Sequence, residues 1–169
     1  MKIYTIHIYL ILLLATYCTK KTYCQEYQIF TNEKRAEYIL SFSKNVTWPT
    51  PSFERFTIAI VSGDSLLYYR MQHLCDSVKT LHNKPISIHL YHAISSVKPC
   101  QVLFIPFSKN INYEQLYAAI QQTQTLLLTE NFPFNKSMIN FTVNNGKRNY
   151  EINEQKLQEA KLKVNPLLL

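Results

Sequence analysis

Apolar residues recur at helical spacing between Lys34 and Pro49, where Ala36, Ile39, Leu40 and Val46 form a stripe flanked by Phe42. Thr31 or Asn32 is placed to cap the start of this helix. Pro49 stops it at Trp48, because the proline ring clashes with an α conformation at the residue before it. The pattern then changes period. Phe56 to Val61 (FTIAIV) is a continuous apolar run ended by Ser62-Gly63-Asp64, the mark of a strand buried on both faces. Asp64 or Ser65 can cap a helix from Leu66 to about Leu81, with Leu67, Met71, Leu74, Val78 and Leu81 on one side. Pro85 to Tyr91 alternates and predicts a more exposed strand, and Cys100 to Ile105 predicts a third strand with both faces apolar. A helix over Tyr113 to Gln122 and a strand over Thr125 to Thr129 follow. Met138 to Val143 and Arg148 to Ile152 then alternate around Asn144-Asn145-Gly146-Lys147. Asn-Gly between two such runs is a strong hairpin signal, because it accepts the positive φ angles of a type I′ turn. A last helix is expected from about Asn153 to Leu162.

This order predicts an α/β domain: a three-layer sandwich with a mostly parallel sheet and a C-terminal antiparallel hairpin. The first two dozen residues stand apart from it. Lys2 and the apolar run Ile3 to Ala15 read as a secretory signal peptide, too short for a spanning helix of about 20 apolar residues. Thr16-Tyr17-Cys18 and Thr22-Tyr23-Cys24 both offer cleavage sites, the second leaving Gln25 first. An uncleaved membrane anchor flanked by Lys20 and Lys21 is the alternative. The expected organisation is therefore a signal peptide over 1–24 and one exported, periplasmic domain over 25–169.

Export changes how charge and cysteines are read. The whole chain carries a net charge of +7, but without Lys2, Lys20 and Lys21 there are 15 basic against 11 acidic residues, with no basic run longer than two. That is ordinary surface charge and no footprint for nucleic acid. Two glycines, Gly63 and Gly146, cannot build a glycine-rich phosphate loop. Cys75 and Cys100 are the only cysteines beyond Gln25, and in an oxidising compartment they have one possible pairing. Such a disulfide would close a loop of about 25 residues, worth about 3 kcal/mol in the chain-entropy model. The alternative is two separate buried thiols.

Catalytic and metal patterns are weak. His89 and His92 lie three apart in a predicted strand and point to opposite faces, so their imidazoles do not converge. Cys75 and Cys100 lack the CxxC or histidine partners of a zinc site. Glu130 and Glu151 would be paired carboxylates only by a coincidence of folding, since a buried helix end or a surface salt bridge explains each as well, and nothing calls for a cofactor. Asn45, Asn135 and Asn140 each begin a glycosylation triplet, expected by chance in an Asn-rich chain. Trp48 reads as a plug holding the first helix to the sheet, with an exposed partner patch of Trp48, Phe53 and Phe56 as the alternative. The chain therefore reads as a binding or regulatory module and not as an enzyme.

Several motifs, taken in order, resemble the YfiR-like periplasmic family. Its opening helix has the form "KAxxIxxFxKxxxWP", and here Lys34, Ala36, Ile39, Phe42, Lys44, Trp48 and Pro49 take those places. Gly63 ends the first strand, as in the family, and Cys100 to Ile105 stands for its "CHVLFI" strand. Leu126 to Glu130 matches "VLTVTE". Ile139-Asn140-Phe141 and Gly146-Lys147 through Glu151-Ile152-Asn153 match "INFxxxxGKxxFEIN". Leu162 to Leu168 resembles the closing "LKVSSxLL". Two departures stand out: Asn135-Lys136-Ser137 replaces a Gly-Gly pair, and Asn165-Pro166 replaces Ser-Ser. The resemblance implies a periplasmic inhibitor that binds an inner-membrane sensor protein, a diguanylate cyclase or a histidine kinase, and so restrains cyclic-di-GMP or kinase signalling. It leaves a homodimer open. It makes Phe42, Lys44, Trp48, Pro49, Gly63, Asn140, Phe141, Gly146, Lys147, Glu151 and Asn153 structural or partner-binding signature positions. A small-ligand receptor of the periplasmic type, using the crevice at the carboxyl ends of its strands, is the second expectation.

Overall fold

Phe56–Val61 forms the central strand β2, and every side chain on it is buried or half-buried, as its unbroken apolar run requires. The computed structural model describes residues 31–49, 53–63, 65–107, 111–120, 123–144 and 147–165. The signal-peptide segment, Asp64, and the Asn145-Gly146 hairpin tip lie outside the described residues.

The helices are α1 (Asn32–Asn45), α2 (Leu66–Val78), α3 (Tyr113–Ile120) and α4 (Glu154–Glu159). Besides β2, the strands are β1 (Val46–Thr47), β3 (Thr80–Leu81), β4 (Lys84–Tyr91), β5 (Val102–Ile105), β6 (Leu126–Glu130), β7 (Ile139–Asn144), β8 (Lys147–Ile152) and β9 (Lys163–Val164). Seven of them form one sheet in the order β3-β4-β2-β5-β6-β7-β8. From β4 to β7 all neighbours are parallel, and the antiparallel hairpin of β7 and β8 closes one edge. Gln101 helps set the register where three strands begin. Its side-chain oxygen accepts from Thr57 N at 2.7 Å, and its carbonyl accepts from Leu126 N at 2.8 Å.

α1 runs against the strands. Thr31 caps it by accepting from Lys34 N, as its sequence position predicts. Phe42 stacks on Phe141 with ring centroids 6.0 Å apart and meets Tyr150 edge-on at 5.0 Å. At its far end Trp48 lies 6% exposed, edge-on to Phe56 at 5.2 Å, with Nε1 donating to the Gln124 carbonyl at 2.6 Å. Trp48 is thus a plug in the core, with its one polar atom paired. Just beyond α1, β1 pairs with β9 in a separate two-stranded antiparallel sheet, so the first and last motifs of the chain touch.

Five expectations change. α1 stops at Asn45 and not at Trp48, because Val46 leaves the helix in an extended conformation and pairs with Val164 as β1. α2 stops at Val78 instead of Leu81, because Lys79 takes a left-handed φ of 63° and the chain folds back as β3. Ser65 caps α2 without a side-chain hydrogen bond. α4 ends at Glu159, where Lys161 at φ 58° lets Leu162 N reach the Leu157 carbonyl at 2.8 Å. The expected Cys75–Cys100 disulfide is absent: both are free, buried thiols. Cys75 belongs to the buried side of α2, within electrostatic reach of Lys44, whereas Cys100 leads into β5 with its carbonyl bonded by the Thr125 hydroxyl at 2.6 Å. Each is enclosed by its own neighbours, and burial pushes the Cys75 thiol up to about 11 and the Cys100 thiol up to about 12.

Candidate functional site

The chain leaving β2 crosses to β4 on one side, and the chain leaving β5 crosses to β6 on the other. Connections that part in this way leave a gap above the carboxyl ends of the two strands, which is where open α/β sheets hold ligands. A crevice of about 630 Å³ occupies that place. Val61, Leu67, Ile94, Ile105, Phe107 and Ile111 supply its apolar wall. Asn32, Arg35, Ser62, His92, Asn112 and Gln115 supply polar groups. The volume falls within the range typical of small-molecule pockets, about 300–1,000 Å³.

Local hydrogen bonds build the rim. Ser62 N donates to the Tyr91 carbonyl at 3.0 Å, and His92 Nδ1 lies 3.1 Å from the Ser62 carbonyl. The β2 and β4 exits are thereby joined. Asn112 caps α3 by accepting from Gln115 N at 3.1 Å. Asn32 opens α1, and Gly63 and Leu67 bracket the start of α2. Three helix N-termini therefore border the crevice, each carrying partial positive charge. Gly63 is exposed, and a Cβ built on it would meet nothing within 4 Å.

Beside the crevice lies a buried ion pair between α1 and β6. Arg35 Nε donates to Glu130 Oε2 at 2.8 Å and Arg35 Nη2 to Glu130 Oε1 at 3.0 Å. Arg35 Nη1 donates to Asn32 Oδ1 at 2.9 Å. The Glu130 side chain is 1% exposed and that of Arg35 15%. A guanidinium carries five N–H donors, so three are used and two remain.

The signature positions of the sequence do not gather at this crevice. Among the described ones, Gly63 alone lines it. Asn140 is 1% exposed: its Oδ1 accepts from Phe132 N and its Nδ2 donates to the Phe132 carbonyl, at 3.0 and 2.9 Å. Nδ2 also donates to Glu151 Oε2 at 3.2 Å. The Thr129 hydroxyl bonds both Asn140 Oδ1 at 3.0 Å and Ser137 Oγ at 2.6 Å. This network ties the β6–β7 connection to the sheet, with Ser137 holding part of the Asn135-Lys136-Ser137 segment. Asn153 caps α4 through Lys156 N and donates to the Phe134 carbonyl at 3.2 Å. Phe42 and Phe141 are core. Lys44, Pro49 and Lys147 are exposed, and Gly146 lies outside the described residues.

His89 is exposed and stacks near Tyr91, while His92 sits past the strand end at the crevice. Among the described residues no three His, Cys, Asp or Glu side chains gather as a metal cluster. Among them, too, no helix is long and apolar enough to cross a membrane. A smaller cavity of about 350 Å³ lies between α3 and α4, with Tyr117 and Lys156 on its wall. Burial raises the Tyr117 hydroxyl above its ordinary pKa, with Tyr113 and Glu159 adding to the rise.

Sequence reasoning passed over Arg35 and offered a buried helix end or a surface salt bridge for Glu130, where the structure shows a buried ion pair. The signal was present: a glutamate closing the all-buried strand LLLTE needs a partner, since carboxylates are almost never fully buried unpaired. A family model described as YfiR/HmsC-like matches residues 32–169, from the first residue of α1 onward. No curated protein matches the chain.

Proposed function

The chain belongs to the YfiR/HmsC-like family, and we propose that it is an exported regulatory protein that restrains an inner-membrane signalling partner by direct contact. The partner is a diguanylate cyclase or a sensor histidine kinase. The observation that carries this reading is the extent of the match, which takes in every described element from α1 to β9. A protein outside the inner membrane can alter a cytoplasmic output only by biasing a two-state partner that spans it. Residues 1–24 serve as the signal peptide and 25–169 as the acting domain. The domain is three-layered in this reading, with α1 and α2 over the face that carries Phe56 and Phe141 and α3 over the other. Exposed apolar side chains supply contact surface: Leu66 at 61%, Tyr69 at 60% and Phe107 at 54%. Deleting the protein raises cyclic-di-GMP or kinase output, and cross-linking in cells captures it on a membrane sensor. If both outputs are unchanged by deletion, the inhibitor reading fails.

A second reading, a small-ligand receptor, is favoured by the crevice of about 630 Å³ at the parting of the β2 and β5 connections. It predicts that the purified protein binds a metabolite with no protein partner present.

A further inference from the structure

We propose that the crevice is a site for small organic carboxylates with an apolar body, anchored by Arg35. The inference rests on the receptor reading and names the class of ligand. Arg35 borders the cavity with a guanidinium whose orientation is already set. Two nitrogens hold Glu130 and the third holds Asn32. The two N–H groups left over belong to Nη1 and Nη2. Donors on the two terminal nitrogens of one guanidinium can engage the two oxygens of a carboxylate. Little side-chain entropy is lost on binding, because the rotamer is fixed beforehand.

Charge and shape agree with that choice. Glu130 balances the formal charge of Arg35, so the site is not a strong cation that would gather any polyanion. The remaining attraction comes from the guanidinium edge and the bordering starts of α1, α2 and α3. One carboxylate is well matched to such a field, whereas a phosphate dianion would face the Glu130 charge with a single guanidinium to offset it. Among the lining residues, Ile94, Ile105, Phe107 and Ile111 offer apolar surface for the rest of the molecule. Phe107 is 54% exposed, an aromatic ring at the wall with room to cover a ligand.

The test uses the exported protein and three probe pairs: phenylacetate, benzoate and hexanoate, each against its carboxamide, with inorganic phosphate as a further probe. Backbone amide NMR titration gives affinity and location together. The expected result is that the acids shift Ser62, Gly63 and Gln115 and bind about 10- to 100-fold more tightly than their amides, the range for hydrogen bonds to a charged group. Arg35→Lys keeps a charge for Glu130 but loses the paired donors, so it should abolish the preference for acid over amide. Phe107→Ala, at an exposed position, should weaken acid and amide alike. Acids that do not bind, that bind no better than amides, or that keep their advantage in Arg35→Lys overturn the proposal, as does phosphate binding more tightly than the acids. Amides that bind these residues as well as the acids would defeat the carboxylate assignment while leaving the receptor reading standing.

Discussion

Arg35 in the first turns of α1 and Glu130 at the last position of β6 form a two-pronged ion pair across 95 residues of chain, at 2.8 and 3.0 Å. It fastens the N-terminal end of α1 to the carboxyl ends of the strands, while Trp48 fastens the other end near the strands' amino ends. Removing one partner leaves the other as a buried charge without compensation. Glu130→Leu alone is therefore expected to cost about 3–5 kcal/mol of stability. The double replacement Arg35→Met with Glu130→Leu should cost much less than the two single changes together. Urea unfolding of the four proteins in a double-mutant cycle checks this.

Trp48→Ala empties a core position that contacts Phe56 and His82. The expected loss is about 3–5 kcal/mol. Trp48→Phe keeps most of the ring and loses the bond to the Gln124 carbonyl, at about 1 kcal/mol. A Trp48→Ala protein as stable as the parent that loses contact with the proposed signalling partner would place this ring in the interface instead.

Asn140→Ala leaves the Phe132 N–H and carbonyl without their side-chain partners, at about 1–3 kcal/mol for each buried group left unpaired. The β6–β7 connection should loosen first. Hydrogen exchange at Phe132 and neighbouring amides should speed up more than exchange in β2.

The two thiols should stay unreactive in the folded protein and both titrate once it is denatured without reductant. A thiol assay on the two samples counts them, and fewer than two thiols after denaturation would contradict the structure. Their folded pKa values, about 11 for Cys75 and about 12 for Cys100, lie above the ordinary value of 9.0. Burial keeps the neutral form in the native state, so above pH 9 the unfolded chain binds fewer protons than the native one. Stability from this source is complete below pH 9 and falls as pH rises through 11 to 12. Unfolding midpoints across that range should decline, and less so in Cys75→Ala.

Export predicts a mature protein cut between Ala15 and Gln25. Intact mass of the periplasmic fraction decides it, and a soluble full-length mass still carrying Met1 would refute the signal peptide.

Local chemistry determined most of the secondary structure. FTIAIV is β2 residue for residue, the 34–49 pattern gives α1 up to Asn45 but not the strand β1 that follows at Val46–Thr47, and Asn144 pairs with Lys147 across the expected hairpin. Such features depend on period, capping and the steric limits of proline, all of which act within a few residues. Chain ends of elements were less legible, because the left-handed turns at Lys79 and Lys161 have no glycine to announce them. Long-range pairing was not legible at all. That Val46 meets Val164, that Arg35 finds Glu130, and that Cys75 and Cys100 are enclosed apart depend on which strands lie side by side. The crevice is of the same kind. Arg35, Gly63, His92, Phe107 and Gln115 share no spacing in the chain, and the parting of two strand connections is what brings them to one place.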